Sequence, residues 1–148
     1  MKLAKAFNEK GYNVDHKLIE AGAMLHDIGR SQTHDVDHAA VGGKIVRELG
    51  IYELVARIVD RHIGAGIPQD EAKELGLPPG QYMPETLEEK IVCYADKLME
   101  GRRVVDISVT INHFIEKHGA DHPAIKRHYA LHEEIVGMIG SVSFCKSE

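Results

Sequence analysis

The sequence of 148 residues has no tryptophan, only two cysteines and no excess of basic residues. Cys93 and Cys145 lie far apart and outside any CxxC pattern, which excludes a zinc knuckle or a disulfide framework and favours a reducing cytoplasmic setting. The formal net charge of −5 argues against an extended nucleic-acid-binding surface. No apolar run has the roughly 20 residues that span a membrane, and none near the start fits a signal peptide. We therefore expect a soluble cytoplasmic protein without membrane partners, and a homo-oligomer is compatible with these counts.

The residues that are present predict a single helical domain covering 1–148. Charged residues make up 28 % and hydrophobic residues 43 % of the chain, as in ordinary globular proteins, and the length suits one domain of roughly 100–200 residues. Apolar residues recur at helical spacing nearly throughout, and no alternating run predicts a strand. The fold class predicted from this pattern is all-α, a helical bundle.

Capping and turn residues divide the pattern into helices. Asp15 is a predicted N-cap of the second helix, with Gly29 as its C-terminal stop, and Asp37 is a predicted N-cap of the third. Thr86 followed by Glu89 is typical of a capping box. The segment rich in glycine and proline at 64–85 predicts a flexible loop with at most one short helix. Helices are predicted at 2–10, 15–29 and 37–50, then a fourth that carries Leu54 and Val59 and ends at the glycines at 64 and 66, and further helices at 70–75, 86–98, 106–117 and 123–140.

Five ionisable side chains lie on or beside the apolar stripes of these helices, where they are expected to point inward. An inward carboxylate is costly unless it is paired, hydrogen-bonded or bound to a metal, and a divalent cation could serve all five groups at once. Imidazole and carboxylate together suit Zn, Mn, Fe, Ni or Co better than Ca. Taken singly, each histidine could instead be a hydrogen-bonded core residue, and each aspartate could cap a helix or pair with a lysine or arginine. The five residues are His26, Asp27, His38, His62 and Asp96.

Other histidines give weaker signals. His34 lies four residues before His38 and could be a ligand or a substrate contact. His128 and His132 have a spacing that can hold a metal, but no glutamate follows His128 as in a zincin.

Four motifs, in this order and spacing, resemble those of the HD-domain superfamily of metal-dependent phosphohydrolases, and more narrowly its small HDIG-type proteins. The resemblance covers about residues 13–101. The motifs are His26-Asp27-Ile28-Gly29, then His38 with Gly42, Ile45 and Val46 in the spacing H-x3-G-x2-I-V, then His62 in Arg-His-Ile-Gly, and Tyr94-Ala95-Asp96-Lys97-Leu98.

The resemblance implies an all-α fold around a centre of one or two divalent ions. His26, Asp27 and Asp96 would hold the first ion, and Asp27 would bridge to a second ion held by His38 and His62. The implied chemistry is hydrolysis of a small phosphorylated molecule, a nucleotide or another phosphomonoester or phosphodiester, by a metal-activated water.

Candidate catalytic residues follow from the same resemblance. Besides Asp27, they are Arg30 and Lys97, which lie near the motifs and could contact phosphate, with Arg61 a further candidate. Arginine suits a phosphate because its guanidinium can bind two oxygens at once.

The sequence departs from the family pattern in two places. The family's first histidine, on an earlier helix, would fall before Met1, and His16 lies about 15 Å along the helix from His26. We expect a truncated first helix; alternatively, a water or His34 fills the vacant ligand position, or the protein has lost activity. Arg61 stands where two-metal relatives often carry a histidine, which weakens the case for a second ion.

The sequence thus leaves three functions open. The leading one is a metal-dependent phosphohydrolase. The alternative is an HD-domain binding or regulatory module that holds metal or nucleotide without turnover. The third is a structural bundle in which the inward groups only pair with one another.

Overall fold

A computed structural model describes residues 1–141, so Cys145 lies outside the described residues. These residues form eight α-helices, one 3-10 helix and one short hairpin, which confirms the predicted all-α fold class. No helix in this range is both long and apolar enough to cross a membrane. The α-helices are α1 (Lys2–Glu9), α2 (His16–Leu25), α3 (His38–Glu48), α4 (Glu53–Asp60), α5 (Gln69–Glu74), α6 (Leu87–Lys97), α7 (Ile107–His118) and α8 (Pro123–Ile139); the 3-10 helix is Ile28–Ser31, and the hairpin strands are β1 (Met99–Glu100) and β2 (Arg103–Val104).

Most predicted helix starts are confirmed by their caps. The Asp15 side chain accepts a hydrogen bond from the Leu18 backbone N–H at 3.0 Å. Thr86 and Glu89 form both bonds of the predicted capping box. Pro123 occupies the first turn of α8, where its missing N–H costs nothing.

Three local predictions are wrong. Asp37 precedes α3, but its carboxylate accepts from the Thr33 hydroxyl at 2.9 Å and not from the helix. Helix α2 ends at Leu25, well before Gly29, because the chain turns into the 3-10 helix there. The sequence does not predict the hairpin of β1 and β2, since strands of two residues are too short to show alternation.

The main core surrounds α6. Its side chains Ile91 and Tyr94 are almost fully buried among residues of α1, α2, α4, α7 and α8. A second cluster lies mainly between α3 and α4, where Val46 and Val59 are completely buried. Together the clusters fix α2, α3, α4 and α6 relative to one another, and the candidate site residues lie at or just beyond the ends of these four helices.

The segment 64–85 packs around a small core of its own, although the sequence predicts a flexible loop. Tyr82 and Ile67 are buried there and form an isolated antiparallel backbone bridge. Arg127 of α8 holds the segment by donating to the Gly66 carbonyl at 3.1 Å and to the Glu71 carboxylate. The predicted short helix is present as α5.

Close backbone approach brings the 3-10 helix against α3. A Cβ at Gly29 would lie 1.8 Å from the His38 carbonyl oxygen and 2.8 Å from the Gly42 nitrogen. A Cβ at Gly42 would in turn meet the Gly29 nitrogen at 3.1 Å. The two glycines therefore let the segment that follows Asp27 lie directly on the first turn of α3, which carries His38.

Candidate metal centre

The five inward residues predicted from the sequence come from four segments that meet at helix ends. His26 is the C-cap of α2 and Asp27 follows it. His38 begins α3, and His62 lies just beyond α4. Asp96 lies in the last turn of α6. Residues up to 70 positions apart in the chain are thereby brought to one place.

Asp27 lies between two sets of partners. Its Oδ2 is 3.4 Å from His26 Nε2, and that nitrogen is also 3.2 Å from Asp96 Oδ1. Its Oδ1 is 3.3 Å from His38 Nε2 and 3.4 Å from His62 Nε2. The ligand atoms of His26, Asp27 and His62 all lie within 4.8 Å of one another. Each oxygen of Asp27 thus faces a different group of histidines.

A backbone carbonyl fixes the orientation of each imidazole. His26 Nδ1 bonds to the Ala23 oxygen at 2.6 Å, His38 Nδ1 to the Asp35 oxygen at 2.8 Å, and His62 Nδ1 to the Val59 oxygen at 2.7 Å. A carbonyl only accepts, so each Nδ1 carries the hydrogen. In the neutral ring this leaves Nε2 as a bare lone pair directed toward Asp27.

These lone pairs face other acceptors, which is a poor arrangement without a cation. His38 Nε2 and His62 Nε2 are 3.1 Å apart, and both are directed at a carboxylate oxygen. Ligand atoms that share a tetrahedral ion at about 2.1 Å lie about 3.4 Å apart, close to the separations seen here. The donor set therefore fits a divalent transition ion, and the Nδ1 bonds supply the outer hydrogen bonds that such ligands usually have.

The electrostatics favour ionised carboxylates. The His62 ring, as a hydrogen-bond donor when its Nε2 carries a proton, is the largest influence that lowers the pKa of Asp27 below its usual range, and His26 and Arg30 act in the same direction. Burial opposes ionisation of Asp96, but His26 and the Lys97 ammonium outweigh it and lower its pKa strongly. Two negative charges are therefore available to a cation at neutral pH.

The histidines differ in their protonation. Burial lowers the pKa of His62 and so opposes a second proton on this ring. Burial also opposes a charge on His26, but the bonds to Asp96 and Ala23 outweigh it and raise the pKa. A proton on His26 Nε2 thus lies between Asp27 and Asp96, and a cation bound there would compete with this proton.

The candidate phosphate contacts occupy different environments. Arg30 is half-exposed, and its Nε lies 3.1 Å from Asp27 Oδ1. Lys97 is buried, and its Nζ donates to Asp96 Oδ2 and, at 3.1 Å, to the His62 carbonyl. Arg30 therefore borders solvent beside the centre, whereas Lys97 connects the end of α6 to His62, two residues beyond α4.

His34 and Arg61 lie apart from the convergent atoms. His34 is exposed in the loop before α3. The buried Arg61 guanidinium donates to Glu89 Oε2 at 2.9 Å and lies 3.5 Å from Glu85. The Nε of Arg57 lies 3.6 Å from the other carboxylate oxygen of Glu89, Oε1. The sequence does not predict this network, because Arg61 and Glu89 lie 28 positions apart and the capping box alone gives no sign that Glu89 is buried.

Comparison with known proteins places the chain among several relatives. The family described as HD domain matches residues 1–100. An uncharacterised protein of Methanocaldococcus jannaschii is 51 % identical, over 93 % of this chain and 82 % of its own length. A tRNA (cytidine(56)-2'-O)-methyltransferase of Picrophilus torridus is 44 % identical over 85 % of this chain, and the match spans 36 % of that protein.

A more distant relative is a ribonuclease Y of Acidothermus cellulolyticus, 28 % identical over 61 % of this chain and 16 % of that protein. No solved structure matches the chain significantly. The family match covers the whole segment that carries His26, Asp27, His38, His62 and Asp96. The chain therefore belongs to the HD domain family.

Proposed function

We propose that the protein is a metal-dependent phosphohydrolase that uses water to cleave an ester of a small phosphorylated molecule. The observation that carries this proposal is the convergence of three carbonyl-anchored imidazoles on the carboxylates of Asp27 and Asp96. Such a donor set is poorly satisfied by its own members and well satisfied by a transition ion.

The roles of the residues follow from their positions. A bound divalent ion would supply Lewis-acid stabilisation of the phosphoryl oxygens and lower the pKa of a water molecule. Asp27 would be the central ligand, since its two oxygens face different histidines, with His26 and Asp96 on one side and His38 and His62 on the other as the further ligands. Arg30, half-exposed beside Asp27, would bind a phosphate oxygen.

Metal content and turnover test the proposal together. Protein stripped with a chelator is reloaded separately with Mn, Fe, Ni, Co or Zn, and bound metal is measured by elemental analysis. Hydrolysis of p-nitrophenyl phosphate and bis(p-nitrophenyl) phosphate then distinguishes monoesterase from diesterase activity. We expect one or two bound ions and metal-dependent turnover of at least one substrate.

Matched variants control this experiment. Asp27→Asn should lose both metal and turnover, whereas Asp70→Asn, an exposed change in α5, should keep both. Protein that binds no ion under any loading condition, or that turns over equally well without metal, would contradict the proposal.

A second candidate is a module that binds metal and a phosphorylated ligand without turnover. The methyltransferase relative favours it, because the matching segment there is only 36 % of a longer protein. Calorimetric binding of a nucleoside monophosphate to metal-loaded protein, with no phosphate or nucleoside released, would support this candidate. Release of product at catalytic rates would exclude it.

A further inference from the structure

A cavity of about 630 Å³ opens beside the candidate metal centre. Its walls come from α1, α2, α6 and the hairpin of β1 and β2, and they include His26, Asp27 and Asp96. Its volume lies within the range of roughly 300–1,000 Å³ that is usual for small-molecule sites. These three metal-centre residues form only part of the cavity wall. The other lining residues are not explained by metal binding.

Aliphatic and methionine side chains dominate these walls. Outside the metal centre, Lys2 and Glu20 are the only charged side chains among the described lining residues, and no phenylalanine, tyrosine, asparagine, glutamine, serine or threonine contributes. Several lining side chains are large and open to solvent, where apolar patches commonly mark a binding surface. They are Met1, Met24, Met99 and Val104, with exposed fractions from 43 % to 79 %.

We infer that this cavity binds the aliphatic part of a phosphomonoester whose phosphate reaches the metal centre, so that the substrate is an alkyl phosphate. The inference rests on the proposed function and adds the chemical class of the substrate. A nucleobase would leave its polar edges facing apolar walls without an aromatic face to stack on. A flexible chain can instead follow the adaptable methionine side chains.

The reaction on such a substrate is balanced by one water molecule. The bond between phosphorus and the alkyl oxygen breaks, the water oxygen bonds to phosphorus, and the alkyl oxygen leaves with a proton as an alcohol. Inorganic phosphate is the other product. No oxidant, reductant or second substrate is needed.

Binding of n-alkylphosphonates tests the inference without turnover, because their carbon–phosphorus bond is not hydrolysed. Affinities for the series from ethyl to octyl are measured by calorimetry on Mn-loaded and on metal-free protein. Burial of each methylene is expected to tighten binding about fourfold until the cavity is filled. The increment per methylene should be similar with and without metal, and adenosine monophosphate should bind more weakly than octylphosphonate.

Neutral polar substitutions locate the apolar site. Met24→Gln combined with Met99→Gln should reduce the gain per methylene at least twofold. Leu49→Gln is the control, since Leu49 is exposed but lies outside the cavity. Equal affinity along the series, tighter binding of adenosine monophosphate, or an equal effect of Leu49→Gln would overturn the inference.

Failure of the inference and failure of the proposed function are distinguishable. Metal-dependent binding of ethylphosphonate without chain-length dependence would overturn the inference and leave the phosphohydrolase proposal standing. Chain-length dependence without any effect of metal would support the apolar site and count against the proposed function. A third outcome is that affinity does not depend on chain length and that the protein is a dimer which the combined Met24→Gln and Met99→Gln change dissociates. This outcome would show that a second copy covers the cavity, and it would also overturn the inference.

Discussion

At the scale of single residues, Asp27 is the side chain on which the two halves of the centre depend, because each of its oxygens faces different imidazoles. An isosteric Asp27→Asn change removes one negative charge and leaves the shape intact. Because neighbouring groups hold the pKa of Asp27 well below its usual range, the ionised carboxylate stabilises the folded protein, and we expect the metal-free variant to be less stable than the parent in urea unfolding.

The metal response should differ sharply between these proteins. Saturating a site at 100 times its dissociation constant stabilises a protein by about 2.7 kcal/mol. We expect this gain in calorimetric unfolding scans for the parent and for Asp70→Asn, but not for Asp27→Asn. An undiminished gain in Asp27→Asn would remove Asp27 from the ligand set.

Lys97 is predicted to act through its neighbours and not on substrate. Lys97→Met would leave Asp96 without its ammonium partner, and the His62 carbonyl would keep only the weak Cys93 thiol as a buried donor. Because such outer partners typically change metal affinity 10–100-fold, we expect a loss of about that size in competitive chelator titrations. Lys44→Met, a change at an exposed lysine, serves as the control.

The kinetic signature separates this role from direct phosphate binding. If Lys97 contacts substrate, Lys97→Met should raise KM while metal affinity stays normal. If it positions Asp96 and His62, added metal should restore a large part of the lost activity.

Residue types at the centre could be predicted because motif spacing and inward positions are visible in the sequence. The hydrogen-bond partners of Lys97 and Arg61 could not be predicted from the sequence. Lys97 follows Asp96 directly, yet whether its Nζ turns to the His62 carbonyl depends on how α6 packs beside α4. Arg61 is likewise bound by Glu89 of α6, a pairing across 28 positions of the chain.

At the scale of elements, the contact between the 3-10 helix and α3 determines where Asp27 and His38 meet. Gly29→Ala would place a methyl group 1.8 Å from the His38 carbonyl, so the two segments must separate. We expect a loss of more than about 2 kcal/mol in denaturant unfolding, in the range of severe overpacking, together with weakened metal binding.

Gly137 provides the matched glycine for this experiment. It lies inside α8, and a Cβ there would meet nothing within 4 Å. Gly137→Ala should therefore stabilise the protein by roughly 0.5–1 kcal/mol, because alanine loses less backbone entropy in a helix. Similar destabilisation by both changes would show that the close approach is not what makes Gly29 necessary.

Helices with strong local signals could be predicted, while elements defined by distant packing could not. Asp15 and the Thr86 and Glu89 pair carry their own capping bonds, so the chain alone specifies where α2 and α6 begin. The early end of α2 has no comparable signal, since apolar spacing continues past Leu25. The turn there is stabilised by contacts with α3, which lies beyond the reach of local patterns.

At the scale of the whole molecule, buried acids on α6 make stability sensitive to alkaline pH. Complete burial raises the pKa of Cys93 from 9.0 to about 11, and burial raises that of Tyr94 from 10.0 to about 12. Between pH 9 and 11 the unfolded chain releases the thiol proton while the folded protein keeps it. Stability is therefore unaffected below pH 9 and falls above it, by about 1.4 kcal/mol per pH unit for this group.

Cys93→Ala is expected to flatten the fall in unfolding free energy between pH 9 and 11, whatever its effect at neutral pH. Val92→Ala, which truncates a buried neighbour that does not titrate, should lower stability and retain the parent slope. Urea unfolding at several pH values checks both expectations. A parent-like slope in Cys93→Ala would assign the alkaline sensitivity to other groups.

The bonds that orient His26 and His62 also satisfy main-chain oxygens in the last turns of α2 and α4. Terminal carbonyls of a helix have no partner within it, so these two imidazoles act as C-terminal caps of α2 and α4. Fraying of either end would swing an imidazole away from Asp27, and a captured ion would oppose fraying at both ends together. Amide hydrogen exchange in the final turns of α2 and α4 should slow in concert when metal is added, linking two helices by a shared local opening.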